Sequence, residues 1–185
     1  MDKVPSHYEK VLESIKQTST LFHEHWKTYS LFSTQFWVII LLTLIGVFIV
    51  WRLVDKSRLL GLLFYGLIWT AVAQLLDTIG TSYVLWEYPI KVTPMYTVFI
   101  NNVFYLPLSF MLIYQYFRSW LSYLIASLIY SALVAFVIEP IHIWADLYLL
   151  INWKLIYSFP IYFVLAVLIR WFVDKVQSIQ ASAQQ

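Results

Sequence analysis

Long apolar stretches alternate with short polar segments along most of the chain. Apolar residues dominate five ranges, at about 32–51, 59–79, 95–117, 120–138 and 158–173. A helix of about 20 apolar residues is long enough to cross a hydrocarbon core of roughly 30 Å. The pattern therefore predicts an all-α fold, a polytopic membrane helix bundle with five transmembrane helices between residues 31 and 175.

The two ends of the chain are more polar than its middle. In residues 6–28 the apolar side chains recur at helical spacing, forming a stripe of Tyr8, Val11, Leu12, Ile15, Phe22 and Trp26. This spacing predicts that segment 1–30 forms an amphipathic helix on the membrane surface or over the bundle. A lid or partner-binding role is the alternative for this helix. Residues 176–185 are predicted to be a polar, frayed tail.

Two further segments are aromatic and interrupted by polar residues or proline. Residues 80–94 and 147–157 are predicted to be interfacial or re-entrant rather than membrane-spanning. Pro160 is expected to break the long apolar stretch after residue 147, because proline removes a helical hydrogen bond. The membrane-embedded part of the last span is therefore expected to begin at about residue 158.

Eight polar residues interrupt the apolar stretches: Asp77, Asn101, Asn102, Glu139, His142, Asp146, Asn152 and Lys154. At a rise of 1.5 Å per residue, Asp77 lies roughly 27 Å and Glu139 roughly 30 Å from the far ends of their helices. Asn101 and Asn102 lie near the start of the third span, at a similar height. We therefore expect these groups to share one layer on the outer side of the bundle.

Ionisable groups near the hydrocarbon region are costly, so this layer is a candidate site. Together with nearby aromatic residues it predicts an outward-facing cavity for a small or amphipathic ligand, formed by Asp77, Asn101, Asn102, Glu139, Asn152, Lys154, Trp86, Tyr105 and Trp153. Structural explanations stay open: the asparagines can cross-link helices, and Lys154 can reach the headgroups or pair with Asp77 or Glu139. Glu87, Asp146 and His142 are expected at the rim.

Three functions are compatible with such a layer. The favoured one is a non-enzymatic ligand-binding membrane protein, acting as a substrate-binding component, sensor or small transporter. The second is a membrane enzyme acting on a lipid or isoprenoid, with Asp77 and Glu139 as its acid–base pair. The third is a structural subunit whose polar cluster contacts a membrane protein partner.

Composition excludes several other classes of protein and of bound group. Only 12% of the 185 residues are charged, against about 25% in soluble domains. The net charge of +2 and the lack of a basic run argue against nucleic acid, so membrane lipids are the expected surroundings. The absence of cysteine excludes disulfides and iron–sulfur clusters. His23 and His25 point to different sides of a helix, and without a recognisable metal or cofactor motif we expect neither.

Basic residues are unevenly distributed between the two sides of the predicted bundle. One side carries Arg52, Lys56, Arg58, Arg118, Arg170 and Lys175. Lys91 and Lys154 lie on the other side, beside acidic residues. Because positively charged loops stay in the cytoplasm, we expect the C-terminus inside and the N-terminus outside, although Lys27 near the first span opposes this orientation.

Several motifs lie between about residues 20 and 175. They are His25-Trp26, Trp51-Arg52-Leu53-Val54-Asp55-Lys56, Leu76-Asp77-x-x-Gly80-Thr81, Leu85-Trp86-x-Tyr88-Pro89, Tyr114-Gln115-Tyr116-Phe117-x-Ser119-Trp120, Glu139-Pro140 and Ile151-Asn152-Trp153-Lys154. In these motifs the chain resembles an uncharacterised family of small multi-pass membrane proteins from endospore-forming Firmicutes. The resemblance implies a bacterial plasma membrane, with a spore or envelope setting, and implies no activity, ligand or catalytic residue.

Overall fold

The protein is helical apart from one short sheet. A computed structural model describes residues 5–183. Its helices are α1 (Glu9–His25), α2 (Thr34–Leu53), α3 (Leu59–Ser82), α4 (Leu106–Tyr116), α5 (Trp120–Leu133), α6 (Glu139–Trp144) and α7 (Leu155–Ser182), and its strands are β1 (Trp86–Glu87) and β2 (Leu149–Leu150). Wider π-helical turns occupy Trp26–Ser30, Asn101–Tyr105 and Val134–Ile138, and a 3₁₀ turn occupies Lys56–Arg58.

Within residues 5–183, four helices are long and apolar enough to span a membrane. They are Thr34–Leu53, Lys56–Ser82, Trp120–Trp144 and Leu155–Ser182. The predicted span 95–117 forms a shorter helical segment, because residues 95–98 are not helical. The side chain of Asp77 accepts the backbone N–H of Val98 at 3.0 Å. A helix starting at residue 95 is thereby replaced by a loop held against α3.

Two other predicted boundaries were wrong. Helix α7 begins at Leu155 and continues through Pro160 to Ser182, so Pro160 does not break it. Pro160 is the sixth residue of α7, so it removes a single helical hydrogen bond, the one to the Ile156 carbonyl, and the helix continues past it. The last helix therefore includes most of the segment predicted to be a frayed tail.

Helix α3 lies at the centre of the bundle, packed against α4 and α7. Its residues Tyr65 and Trp69 are completely buried, with Phe110 of α4 and Tyr123 of α5 equally buried beside them. The Tyr65 and Tyr123 hydroxyls lie 2.6 Å apart, and Trp69 Nε1 donates to the Tyr65 hydroxyl at 2.9 Å. The core therefore joins large aromatic surfaces to a satisfied hydrogen-bond chain.

One end of the bundle is closed by Arg170 of α7. Its guanidinium donates to the carbonyls of Phe117, Arg118 and Ser119 in the turn between α4 and α5. Its Nε lies 3.3 Å from Oδ2 of Asp174. Although Arg170 is only 4% exposed, its charge is thus paired and its donors have acceptors, as a buried arginine requires.

The opposite end is closed by the two loop segments that flank β1 and β2. The strands are antiparallel, with Trp86 opposite Leu150 and Glu87 opposite Leu149. The segments predicted to be interfacial or re-entrant therefore pair with each other across the end of the bundle. Each strand is short, so side chains rather than the sheet itself must hold this closure in place.

The end of the N-terminal helical segment is attached to the first of these loops. Trp26 Nε1 donates to the carbonyl of Lys91 at 3.1 Å, and Ser30 Oγ donates to the carbonyl of Pro89 at 3.3 Å. Nε2 of His25 lies 3.0 Å from the same Pro89 carbonyl. Helix α1 itself has no buried residue. Of its apolar stripe, Tyr8, Val11 and Ile15 are exposed, whereas Leu12, Phe22 and Trp26 are half-buried.

Candidate functional site

A cavity of about 290 Å³ lies at the end of the bundle closed by the two loops. Its walls come from α3, the Asn101–Tyr105 turn, α6, the start of α7 and both loops. The charged groups among its lining residues are Asp77, Lys91 and Glu139, and His142 also lines it. Most of the remaining wall is aromatic or aliphatic, including Trp69, Trp86, Tyr88, Phe99, Tyr105, Tyr148, Trp153 and Tyr162.

Asp77 forms the most densely bonded part of the wall. Its Oδ1 accepts from Trp86 Nε1 at 2.9 Å and from the Tyr88 hydroxyl at 2.7 Å. Its Oδ2 accepts from the Val98 N–H at 3.0 Å and from Asn102 Nδ2 at 2.9 Å. A carboxylate has about four acceptor positions, so all the acceptor positions of Asp77 are occupied. Its contacts join α3 to the first loop and to the start of the next helical segment.

Glu139 lies in a less complete environment. It is 7% exposed, and its Oε1 accepts from the Tyr162 hydroxyl at 2.6 Å. Its Oε2 is buried and has no hydrogen-bond partner among residues 5–183. The neighbouring Ser158 hydroxyl accepts a hydrogen bond from Trp153 Nε1 at 3.1 Å. A buried carboxylate oxygen without a donor is costly, and in a cavity wall it indicates a place for a ligand or water.

Two of the π-helical turns position these polar groups. Asn102, which donates to Asp77, lies within the Asn101–Tyr105 turn, and Glu139 directly follows the Val134–Ile138 turn. A π-helical turn accommodates one more residue than an α-helical turn, so it rotates the following side chains relative to a regular helix. Such turns are frequent at functional sites. Hydrophobic periodicity could not reveal them, because a single wide turn hardly alters the apolar pattern.

Close packing fixes the first loop against the end of α3. The Trp86 indole lies so near Gly80 that a Cβ at this position would overlap the ring. The helix ends with Val84 N–H donating to the Thr81 carbonyl and Leu85 N–H donating to the Gly80 carbonyl. Val84 has a φ of 52°, a left-handed conformation that glycine normally supplies at this position. A β-branched residue there carries local strain of roughly 1–2 kcal/mol.

Seven of the nine predicted ligand-binding residues line this one cavity: Asp77, Asn101, Asn102, Glu139, Trp86, Tyr105 and Trp153. The other two do not line it. Asn152 is exposed, and its backbone N–H and side chain bond to the carbonyls of Leu85 and Val84. Lys154 is also exposed, and it makes no ion pair within the described part of the chain. The anticipated pairing of Lys154 with Asp77 or Glu139 is therefore not present.

The rim residues named from the sequence have different positions. His142 lines the cavity, with Nδ1 2.9 Å from the Ile138 carbonyl, whereas Asp146 is exposed with a φ of 59°. Glu87 is partly exposed, and burial raises the pKa of its carboxyl above the ordinary value, with Lys91 opposing that shift.

Lys91 is the main charged residue that the sequence argument missed. It is 4% exposed, and Nζ donates to the Tyr96 carbonyl at 2.9 Å and lies 4.0 Å from Glu87 Oε2. The Phe22 ring centroid is 4.2 Å from Nζ. Burial lowers the pKa of Lys91 to about 8, against the opposing effect of the nearby carboxylates. A lysine in an aromatic loop resembles an ordinary interfacial residue, so its burial could not be predicted from the sequence.

Two tyrosines and a serine near the carboxylates, Tyr148, Tyr162 and Ser158, were also not predicted, and Tyr88 lines the cavity with them. Tyr88 donates to Asp77 and its ring stacks on Tyr148, with centroids 5.4 Å apart. Tyr162 and Ser158 approach Glu139 from α7. Burial raises the pKa of the Tyr88 and Tyr148 hydroxyls, so both remain neutral donors. The i, i+4 spacing of Ser158 and Tyr162 is the one sequence signal that could have placed them on a common face.

The fold and site together define a helical protein with membrane-length helices and a lined cavity at one end. Comparisons with protein-family models, with curated proteins and with solved structures gave no match to this chain. The functional argument therefore depends on the chemistry of the cavity itself.

Proposed function

We propose that the protein is an integral membrane protein that binds a small, partly apolar ligand in this cavity. The single observation that supports the proposal most strongly is an aromatic cavity of about 290 Å³ with an unpaired carboxylate oxygen in its wall. Ligand sites are concave and mostly apolar, with a few polar groups that orient the ligand. A substrate-binding component, a sensor or a small transporter would each use such a site.

The topology belongs to the same proposal. With α4 and the preceding π-helical turn as a short additional pass, the bundle crosses the membrane five times. The basic residues near Arg58 and Arg118 then face the cytoplasm, which puts the C-terminus inside, and the N-terminus and cavity outside. The bacterial plasma membrane is the proposed location, and the exposed side chains of Tyr8, Val11 and Ile15 rest on its outer surface.

The enzyme alternative is weaker because of the surroundings of Asp77. A general base must be able to accept a proton from a substrate, but four donors already occupy the oxygens of Asp77. We assign Asp77 to holding the loop in place. Of the two carboxylates expected to form an acid–base pair, only Glu139 has an oxygen without a donor among residues 5–183, which makes the pair a weaker proposal.

Native mass spectrometry of the protein purified from its own membrane tests ligand binding. We expect a discrete small adduct that dissociates on collisional activation. Ala73 lines the cavity and is 8% exposed, so Ala73→Phe should fill the space and remove the adduct.

The matched control is Ala71→Phe, two residues away on the exposed side of the same helix. This variant should retain the adduct. Equal retention in both variants would place the bound molecule outside the cavity, and complete absence of an adduct from the native protein would count against ligand binding.

A further inference from the structure

The balance of charge in the cavity favours one class of ligand. Asp77 and Glu139 contribute two carboxylates, and Lys91 contributes one ammonium group. Lys91 is directed to other partners, since its Nζ contacts the Tyr96 carbonyl, Glu87 and the Phe22 ring. It is therefore not available as a counter-ion for Glu139. Glu139 therefore has no cationic partner within residues 5–183.

The groups around Glu139 define what the missing partner must supply. Tyr162 donates to Oε1, and Oε2 has no donor within residues 5–183. An ammonium group donates up to three hydrogen bonds and carries the opposite charge. It would satisfy Oε2 through a charge-assisted hydrogen bond, which is stronger than a neutral one. A carboxylate or phosphate ligand would instead place two acceptors against each other.

The aromatic walls also favour a positively charged ligand. Tyr88, Tyr148, Trp153 and Tyr162 all line the cavity, and aromatic faces attract cations within about 6 Å of the ring centre. Phe22 already contacts the Lys91 ammonium in this way at 4.2 Å. Elsewhere in the wall, apolar groups such as Leu85, Leu106 and Leu165 suit the rest of a ligand.

The volume limits the size of the ligand. A water molecule takes up about 30 Å³ in the liquid, so a cavity of about 290 Å³ corresponds to roughly ten water molecules. The volume is at the lower end of the range of roughly 300–1,000 Å³ found for small-molecule sites, which suits a ligand with one ring or a short alkyl body and a single polar head. A whole diacyl lipid is too large for it.

We propose that the cavity binds a small organic cation, a protonated amine on an apolar body, whose ammonium group donates to Oε2 of Glu139. This inference rests on the proposed function, because it names the ligand class of the same site. Asp77 and its four donors hold another part of the wall, and Tyr162 donates to Oε1 of Glu139, which leaves Oε2 as the oxygen without a donor among residues 5–183.

Three probes of similar shape test the ligand class: 4-phenylbutylamine, 4-phenylbutanol and 4-phenylbutyrate. Their binding to the detergent-purified full chain would be measured by titration calorimetry at constant salt. We expect the amine to bind at least tenfold more tightly than the alcohol, and the carboxylate to bind most weakly. In Glu139→Gln the preference for the amine should disappear, while binding of the alcohol persists.

Two further variants keep the test decisive. Tyr162→Phe removes the donor to Oε1 and leaves both oxygens of Glu139 open, so the preference for the amine should be kept or increased. Asp146→Asn changes an exposed carboxylate and should leave the preference unchanged. If Glu139→Gln does not fold, the test of the ligand class depends on Tyr162→Phe alone. A reduced preference of that variant for the amine overturns the inference.

The outcomes separate this inference from the proposed function. Equal binding of amine and alcohol, or a preference that survives in Glu139→Gln, overturns the cationic class. Failure of all three probes to bind overturns it as well. Ligand binding itself is tested by the adduct that Ala73→Phe should remove. That experiment does not depend on the charge of a probe.

Discussion

Arg170 and Glu139 are both buried charged residues, but their surroundings differ. Arg170 is surrounded by three backbone carbonyls and the Asp174 carboxylate. Glu139, near the other end of the bundle, has one donor for its two oxygens among residues 5–183. A buried charge with a complete set of partners stabilises a fold, whereas an incomplete set lowers stability unless a ligand completes it. The contrast separates a structural cluster from a binding site.

Replacing Arg170 should have the largest effect. Arg170→Met leaves the carbonyls of Phe117, Arg118 and Ser119 without their donor and Asp174 without its cation. Each buried acceptor left without a donor costs about 1–3 kcal/mol, and loss of the pair with the 35% exposed Asp174 adds less, so thermal unfolding in detergent should occur at a lower temperature. Lys175→Met is the matched control, because Lys175 is exposed on the same helix. Similar losses in both variants would show that Arg170 does not hold the turn.

Asp77→Asn should have the second largest effect. The amide presents its NH₂ group to donors that now bond to a carboxylate, and each buried donor left unpaired costs about 1–3 kcal/mol. The first loop should loosen, so hydrogen exchange should become faster at residues 83–98 than in α5. Asp146→Asn is the control at an exposed carboxylate. Unchanged exchange in the loop would contradict the role assigned to Asp77.

The pH dependence of stability tests Lys91. Its pKa is about 8 in the folded chain, below the ordinary value of 10.5, so the unfolded chain binds more protons between these values. Stability should therefore rise with pH in this window, by about 1–2 kcal/mol from pH 7.5 to 9.5. Lys91→Met should lack this contribution, whereas Lys175→Met should keep it. The same rise in both variants would mean that Lys91 is not buried as described.

Glu139→Gln should have the smallest effect on stability, although it is the change expected to alter binding most. Glutamine keeps an oxygen that can accept from Tyr162, and it removes a charge with an unpaired oxygen. We expect the free energy of unfolding to change by less than about 1 kcal/mol, or to rise. Thermal unfolding without added ligand measures this directly. A loss as large as that of Arg170→Met would make Glu139 a structural residue like Arg170.

The sequence indicated much of the site, because depth along a helix can be counted. Asp77 and Glu139 were placed at similar heights from helix rise alone, and both line the cavity. The bonding of each residue could not be predicted from its position. Asp77 was predicted to bind a ligand, yet its partners Tyr88 and Val98 lie in a loop whose path no periodicity specifies.

The fold was predicted less well wherever tertiary contacts override local preference. The predicted start of the third span, at residue 95, was wrong because Asp77 holds Val98 outside the helix. Pairing of β1 with β2 brings together residues more than 60 positions apart, and the apolar pattern of the sequence does not predict such a contact. The sequence argument placed Lys154 in the site and missed Lys91 for the same reason. Burial of a loop residue depends on the tertiary contacts that cover the loop.

The Arg170 contacts also impose an order of assembly during synthesis. The carbonyls at residues 117–119 join α4 to α5, yet their donor lies in the last helix, some 50 residues later along the chain. Until α7 is made and packed, these carbonyls need water, so the α4–α5 hairpin must wait with its turn at the membrane surface. The final helix therefore completes the bundle, and a chain released before residue 170 would lack the group that locks it.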